Sequence, residues 1–265
     1  MKNLFNKRTL KRVLLPLSAI LALLAISCGD TSTTGTVDLQ HVINGVLAYD
    51  GATNRIYGYL EITRNGEPFS SAIVRLVAPD TLTSPVFLGL AGAGVYGGDF
   101  PKSVIRDTST FQISSSNPTF NFNFVSVIPD TFTMRIASPA NKILRGSQTV
   151  GLEWNGSRRA KGYFVIVKPT NYQSTAVGDS LLAPLSAAAA SISNDAFRDT
   201  QGNLQPGTYN IWVVAYTDSP IAYPGLTFNI PDGLTDNLNN RVGIKGRIGA
   251  MFIAKKDVLT VETNP

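Results

Sequence analysis

The chain of 265 residues contains a single cysteine, Cys28. A thiolate is a strong nucleophile and a common site of covalent modification. A disulfide within this chain is excluded because there is no second cysteine to form it. The fold must therefore be held together by a packed core.

The residues before Cys28 form a pattern that is typical of an export signal. Residues 1–12 carry five basic side chains and no acid, and residues 13–27 are almost wholly apolar or small. A basic opening followed by a short apolar run is the pattern of a secretory signal peptide. The run is interrupted by Pro16 and is shorter than the span of about twenty residues that crosses a membrane. An uncleaved anchor helix is the alternative interpretation.

The segment Leu24-Ala25-Ile26-Ser27-Cys28-Gly29-Asp30 resembles the lipobox of bacterial lipoproteins. In that family a peptidase cleaves before the cysteine, whose sulfur carries diacylglycerol. The resemblance implies a signal peptide over residues 1–27, lipidation of Cys28, and a lipid-anchored protein of the bacterial cell envelope, with the outer membrane as the expected location. Two or more acyl chains give stable membrane anchoring. Residues 28–36 continue as a small, polar stretch, which predicts a flexible tether.

Two further patterns could carry chemistry, and both favour a structural interpretation. Residues 92–97 match GxGxxG, but the following Gly-Asp-Phe-Pro cannot begin the helix that a dinucleotide site requires. We interpret the segment as a glycine-rich loop or bulge between strands. His41 is the only histidine, and neither a GxSxG elbow nor a set of zinc ligands accompanies it. The sequence therefore predicts no catalytic residue, no metal site and no cofactor.

Two polar clusters occur near the carboxyl-terminal end. The first consists of Asp and Asn side chains whose oxygens could bind Ca²⁺ or a sugar, although their spacing is not that of an EF-hand. We favour turn-forming surface residues: Asp232, Asp236, Asn237, Asn239 and Asn240. The second is basic and is interpreted as a solvated face: Arg241, Lys245, Arg247, Lys255 and Lys256.

The formal net charge of +5 comes from the signal-like segment. Five of the 23 basic residues lie in residues 1–27, so the remainder has 18 bases and 18 acids and is neutral. Bulk charge therefore gives no support to nucleic-acid binding.

Short alternating runs separated by Gly, Pro, Ser and Thr predict an all-β fold of two consecutive β-sandwich domains, at residues 37–136 and 137–265. In the first, RIYGYLEITR precedes an Asn65-Gly66 hairpin turn. The phrase RNGEP followed by AIVRL resembles Ig-like and carboxypeptidase-regulatory-like modules. Strands are predicted at 55–64, 72–77, 110–113, 119–125 and 131–136.

The second domain resembles a fibronectin type III module. The resemblance rests on TVGLEWN with Trp154, on GYFVIVK, and on LQPGTY followed by NIWVVAY. It implies a core tryptophan at Trp154 and a corner tyrosine at Tyr209. We expect a last strand at 251–262, and either an irregular strand or a short helix at 184–198. The connection at 217–249 is far longer than a hairpin loop, and such loops are usually functional or disordered.

Alternation in two neighbouring strands predicts an apolar patch on one face of the second domain. Monomers seldom leave such a patch uncovered. Three covers fit the pattern: the long loop through Ile221, Tyr223, Leu226 and Phe228; the first domain; or a partner or ligand. The candidate binding surface comprises Phe164, Ile166, Trp212, Val214, Tyr216, Tyr223 and Phe228.

These observations favour a non-catalytic, lipid-anchored envelope protein that presents β-sandwich modules for binding, adhesion or structural spacing. Its expected partners are the membrane, through Cys28, and an envelope protein or glycan, and not nucleic acid. The first alternative is a carbohydrate-binding accessory lipoprotein whose aromatic side chains stack on sugars. An envelope hydrolase is less favoured, although paired carboxylates can come from distant parts of a fold.

Overall fold

The structure, a computed structural model, describes residues 40–80, 84–171, 174, 176 and 178–263. This part of the chain contains seventeen β-strands and one short 3₁₀ helix, and no α-helix. The all-β class is therefore as the sequence predicts. No helix within these residues has the length and apolar character needed to cross a membrane. The signal-like segment, Cys28 and the tether lie outside the described residues.

In chain order the strands are β1 (His41–Asp50), β2 (Arg55–Arg64), β3 (Glu67–Pro68), β4 (Ile73–Val77), β5 (Val86–Gly92), β6 (Val95–Pro101), β7 (Thr108–Ser116), β8 (Thr119–Val127), β9 (Met134–Ser138), β10 (Ile143–Arg145), β11 (Val150–Trp154), β12 (Gly162–Pro169), β13 (Asp179–Pro184), β14 (Ala189–Ile192), β15 (Gly207–Asp218), β16 (Ile244–Ile253) and β17 (Asp257–Glu262). The 3₁₀ helix, Asn194–Phe197, follows β14.

Strand β1 lies at the centre of the larger sheet. It pairs antiparallel with β2 and parallel with β16, in a register that places His41 beside Ile244 and Asp50 beside Ile253. Beyond β2 the order is β6, β5, β4, β7 and β8, and beyond β16 it is β15, β17 and β10. Both faces of β1 carry apolar side chains, as expected of a strand that is covered on both sides.

Two apolar clusters flank the larger sheet. The main one collects the inward side chains of both sheets, including Leu60, Phe111 and Trp154, all 5% exposed or less. The second lies on the opposite face of β1, β12, β15 and β16. Alternate residues of one strand enter different clusters, as when Leu47 enters the first and Val46 the second.

Contacts join residues 40–136 and residues 137–263, the two segments predicted as consecutive domains. Residues from Gln40 onward form one compact unit. Ten residues of β1, from the first segment, pair with ten of β16, from the second. Arg159 also reaches back to the first segment, where it forms ion pairs with Asp107 and Asp130. The backbone ladder and the shared core are the physical reasons for a single unit.

Most strands follow the alternating sequence runs. Asn65 and Gly66 form the expected turn, with φ of 52° and 87°. The segment predicted as an irregular strand or a short helix contains both β14 and the 3₁₀ helix. The expected last strand is interrupted and divides between β16 and β17. The hairpin of β5 and β6 was not predicted as strands.

The features implied by the fibronectin type III resemblance are present locally. Trp154 is 5% exposed and packs against Tyr163, with ring centroids 5.4 Å apart. The hydroxyl of Tyr209 donates to the carbonyl oxygen of Gln205 over 2.8 Å, which is a corner hydrogen bond. Its ring packs edge-on against Phe197 at 5.1 Å. Tyr209 thus ties the start of β15 to the loop that precedes it.

Candidate functional site

The predicted apolar patch exists as a contiguous face of β12 and β15. Their register places Phe164 beside Val214, and Ile166 beside Trp212. Tyr216 extends the row, because its ring stacks on Phe164 with centroids 4.5 Å apart and planes 9° apart. Alternation fixes this outcome, since residues two apart on a strand share a face. The alternate apolar side chains of the two strands, including Val165 and Val213, enter the main core.

The chain covers this face with its own long connection, which we call the strap. The strap runs over residues 219–243 and is shorter than the predicted 217–249, because β15 extends to Asp218 and β16 begins at Ile244. Ile221 and Phe228 are 8% and 5% exposed and belong to the same apolar cluster as the patch. Tyr223 and Leu226 pack against that cluster from its edge. Of the three covers that fit the sequence, the structure therefore shows the loop.

Strands β1, β2 and β16 complete the cluster beneath the strap. Val46, Ala48 and Met251 belong to it, and Tyr57 stacks on Tyr223 with ring centroids 5.1 Å apart. The alternation in β12 and β15 alone did not indicate that these residues belong to the site. The available signal was the apolar character of both faces of residues 42–49, which indicates a strand covered on both sides.

Ring contacts and side-chain hydrogen bonds hold the strap. Phe228 packs against Trp212 at 5.2 Å between ring centroids, and Lys168 Nζ donates to the carbonyl oxygen of Thr227 over 2.5 Å. At the far end, Asn237 donates from Nδ2 to the Ile248 carbonyl over 2.7 Å and accepts at Oδ1 from its amide over 3.0 Å. Asn237 thus holds the end of the strap against β16.

Burial determines what the candidate binding residues can do. Phe164, Ile166, Trp212, Val214 and Phe228 are all 8% exposed or less, so they do not form a free surface. Tyr216 and Tyr223 remain partly exposed at the margin. Burial, followed by the charge of Asp50, raises the pKa of Tyr223, and its hydroxyl stays neutral at physiological pH. The buried side chains beneath the strap therefore form a second hydrophobic core.

A cleft of about 530 Å³ opens beside the strap. It is lined by β12, the start of β13, and Phe228 and Asn229 of the strap. Lys168, Asp179 and Ser180 give it a polar wall. This cleft brings Ile166 and Phe228 to a concave surface, but the two side chains expose little area there.

His41 lies in an aromatic environment. Its ring stacks on Phe120 at 4.1 Å and meets Phe69 edge-on at 5.4 Å. Its Nε2 atom is buried and has no hydrogen-bond partner within the described part of the chain. Burial, with a smaller contribution from the Arg64 charge, lowers the pKa of His41. The ring is therefore neutral at pH 7, which fits the structural interpretation.

The glycine-rich motif lies in the hairpin of β5 and β6, next to an irregular register. Gly94 has a φ of 70°, and a Cβ there would lie 2.5 Å from the carbonyl oxygen of Ile62. A side chain at Gly94 is excluded by this close approach, so the glycine serves the turn.

The Asp and Asn cluster lies on the strap. No group of three or more His, Cys, Asp or Glu side chains occurs among the residues that the structure describes. Asp232 and Asp236 are exposed on the strap, and Asn237 is engaged with Ile248. Lipidation at Cys28 falls outside the described residues.

No protein-family model matches the chain, and no curated protein matches it. Among solved structures, the FN1–FN3 domains of chicken CNTN1 align with 11% identity and a TM-score of 0.26, over 65% of this chain and 57% of that one. A cytokine receptor complex aligns with 11% identity and a TM-score of 0.29, over 82% and 95%. A two-domain fibronectin type III segment from chicken tenascin gives 10% identity and a TM-score of 0.23, over 60% and 83%.

The chain thus spans less than two thirds of the CNTN1 segment. At such low identities and TM-scores, these likenesses indicate nothing about what the chain binds.

Proposed function

We propose that this protein is a non-catalytic lipoprotein of the bacterial cell envelope that holds an all-β body close to a membrane for binding or spacing. The observation that carries the proposal is the segment from Leu24 to Asp30, which follows a basic and then apolar stretch. Strand β1 begins at His41, so twelve residues separate Cys28 from the folded body. That arrangement suits a body joined to an anchor by a short tether.

The test is metabolic labelling of a bacterium that expresses the full chain, using a fatty acid with an alkyne tag. We expect the wild-type protein to carry the label and to sediment with membranes, and Cys28→Ser to lose both properties. Ser27→Ala is the matched control, because it leaves the cysteine and keeps a small residue beside it. Retention of label and membrane association by Cys28→Ser would refute the lipid anchor.

Carbohydrate binding is the second candidate, and the outer face of β4, β5, β7 and β8 favours it. Phe87 is 60% exposed and pairs with Arg75, which pairs in turn with Gln112. Gln112 lies beside Asn123, so an aromatic ring, a guanidinium and two amides form one row across four strands. Trp212, an aromatic side chain of the candidate binding surface, is 8% exposed beneath the strap.

The second candidate is tested by co-sedimentation of the full chain with insoluble bacterial cell-wall polysaccharide. Loss of an exposed stacking ring in Phe87→Ala is expected to weaken binding about tenfold, since aromatic contacts can supply about 1.5 kcal/mol. Leu90→Ala is the control, because Leu90 is 54% exposed on the same strand and lies outside the row. Equal binding by both variants would remove Phe87 from any such site.

A further inference from the structure

We infer that the end of the body formed by the starts of β1 and β16 rests against the lipid surface that holds the anchor. We call this surface the entry end. It contains the residues at which the chain enters the fold and, beside them, a basic turn at residues 241–244. The inference rests on the proposed lipid anchor. Beyond the anchor, we assign the part of the body that touches the membrane and the chemical groups that make the contact.

The tether enters the fold beside the tip of the strap. The amide of His41 donates to the carbonyl oxygen of Gly243 over 2.8 Å. On the other side, the amide of Gln40 donates to Oδ1 of Asn65 over 3.0 Å, and the Asn65 amide returns a bond to Gln40. The entry point is thus fixed between the strap and the turn that follows β2.

Val242 is the most exposed apolar side chain at this end, at 94%. A tight turn holds it outward, because the amide of Ile244 donates to the Arg241 carbonyl and Gly243 has a φ of 72°. One exposed valine is ordinary on a protein surface. Its position beside His41, the first residue of β1, is what connects it with the proposed membrane contact.

Positive charge surrounds that tip. Arg241 and Lys245 are exposed, and Arg247 and Arg64 lie nearby on β16 and β2. Arg241 is also held in place, since its guanidinium lies over the Phe122 ring at 4.8 Å and donates to the Asn123 carbonyl. The acids at this end are Glu67, across from Arg64, Asp236 on the strap, and the exposed Glu61, which lies in the same cross-strand row as Arg247.

Basic side chains are attracted to the phosphate groups of a lipid surface, and the attraction acts within about 8 Å at physiological salt. The thirteen residue steps from Cys28 to His41 can span at most about 45 Å. The tether therefore allows the entry end to reach the headgroups. Strand β1 runs about 30 Å to the opposite end of the body, which lies farther along the chain from the anchor.

The test uses the full lipidated chain with one new thiol, Val242→Cys or Val104→Cys. The sulfur of Cys28 carries the lipid, so a thiol-reactive fluorophore labels the introduced cysteine. Val104 is the matched control: it is 41% exposed and follows Lys102, whose amide donates to the Asn54 carbonyl beyond the far end of β1. Each labelled protein is reconstituted in phosphatidylglycerol vesicles that contain a lipid with a nitroxide on its headgroup.

We expect the nitroxide to quench the label at position 242 at least about twofold more than the label at position 104, with the difference shrinking near 1 M salt. Equal quenching in two variants that both float with the vesicles would overturn the inference and leave the lipid anchor standing. A label at 242 that is shielded from water but not quenched by the nitroxide would indicate a protein partner and would also overturn it. Failure of both variants to float would refute the anchor itself.

Discussion

Buried hydroxyl groups fix the ends of strands in this fold, and Tyr209 is the clearest case. Its hydroxyl bond to the Gln205 carbonyl lies at the partly buried start of β15. We expect Tyr209→Phe to lower the free energy of unfolding by about 1 kcal/mol, because the carbonyl oxygen loses its partner. Urea denaturation measures the change. Tyr49→Phe, which loses an exposed bond to Asn54, should change stability by less than about 0.5 kcal/mol. Similar losses in the two variants would contradict this account of Tyr209.

His41 predicts a pH dependence of stability. Its pKa is lowered in the folded state by burial and by Arg64, so the unfolded chain binds the proton more tightly. The stabilisation is complete above the unfolded pKa of about 6.5 and is lost as the pH falls toward the folded value. The pKa values of Asp107 and Asp257 are also lowered in the folded state, but the stabilisation that they give is lost only as the pH falls below about 3.8. These two groups therefore do not contribute to the loss of stability near pH 6.5.

We therefore expect thermal unfolding to shift to lower temperature between pH 7 and pH 5 in the wild-type protein. His41→Phe keeps an aromatic ring against Phe120 and cannot be protonated, so its midpoint should stay nearly constant over the same range. Calorimetry at several pH values makes the comparison. A parallel decline in both proteins would assign the pH dependence to other groups.

At the scale of elements, the strap owes its position to side chains. Phe228 is 5% exposed and fills the space over Trp212. Because removing a buried phenyl ring leaves a cavity, Phe228→Ala should lower the free energy of unfolding by about 3 kcal/mol. It should also increase the quenching of tryptophan fluorescence by acrylamide. Val242→Ala, at an exposed position of the same strap, should change neither quantity. Unchanged quenching in Phe228→Ala would show that the strap does not depend on this ring.

The sequence predicted the faces of β12 and β15 because a period of two assigns each side chain to a side without knowledge of the partner strand. Phe164 and Trp212 therefore lie where alternation placed them. The parallel partner of β1 was not predictable in this way, since residues as distant as Asn44 and Arg247 face each other and no local pattern records that pairing. The β5–β6 hairpin was missed because its glycines hide the alternation.

At the scale of the whole molecule, β1 joins the two halves of the larger sheet. It is bonded on one edge to β2, which leads to the strands before residue 136, and on the other to β16, which leads to those after it. Arg159 adds ion pairs with Asp107 and Asp130 across the same division. A disturbance at either end of the larger sheet should therefore be transmitted through β1, and the described body should unfold in one transition.

The positions of the two tryptophans make that expectation measurable, because both Trp154 and Trp212 follow residue 136. Ile113 is fully buried on β7, in the first segment. If the body unfolds as one unit, Ile113→Ala should lower the free energy of unfolding by about 3 kcal/mol. The midpoint of thermal unfolding, followed by tryptophan fluorescence, should then fall by about 9 °C. Gln112→Ala changes the outward neighbour on the same strand and should shift the midpoint by about 1 °C. Two independent sandwiches would behave differently: the fluorescence midpoint of Ile113→Ala would not move, while circular dichroism would show a separate early transition from the strands before residue 136.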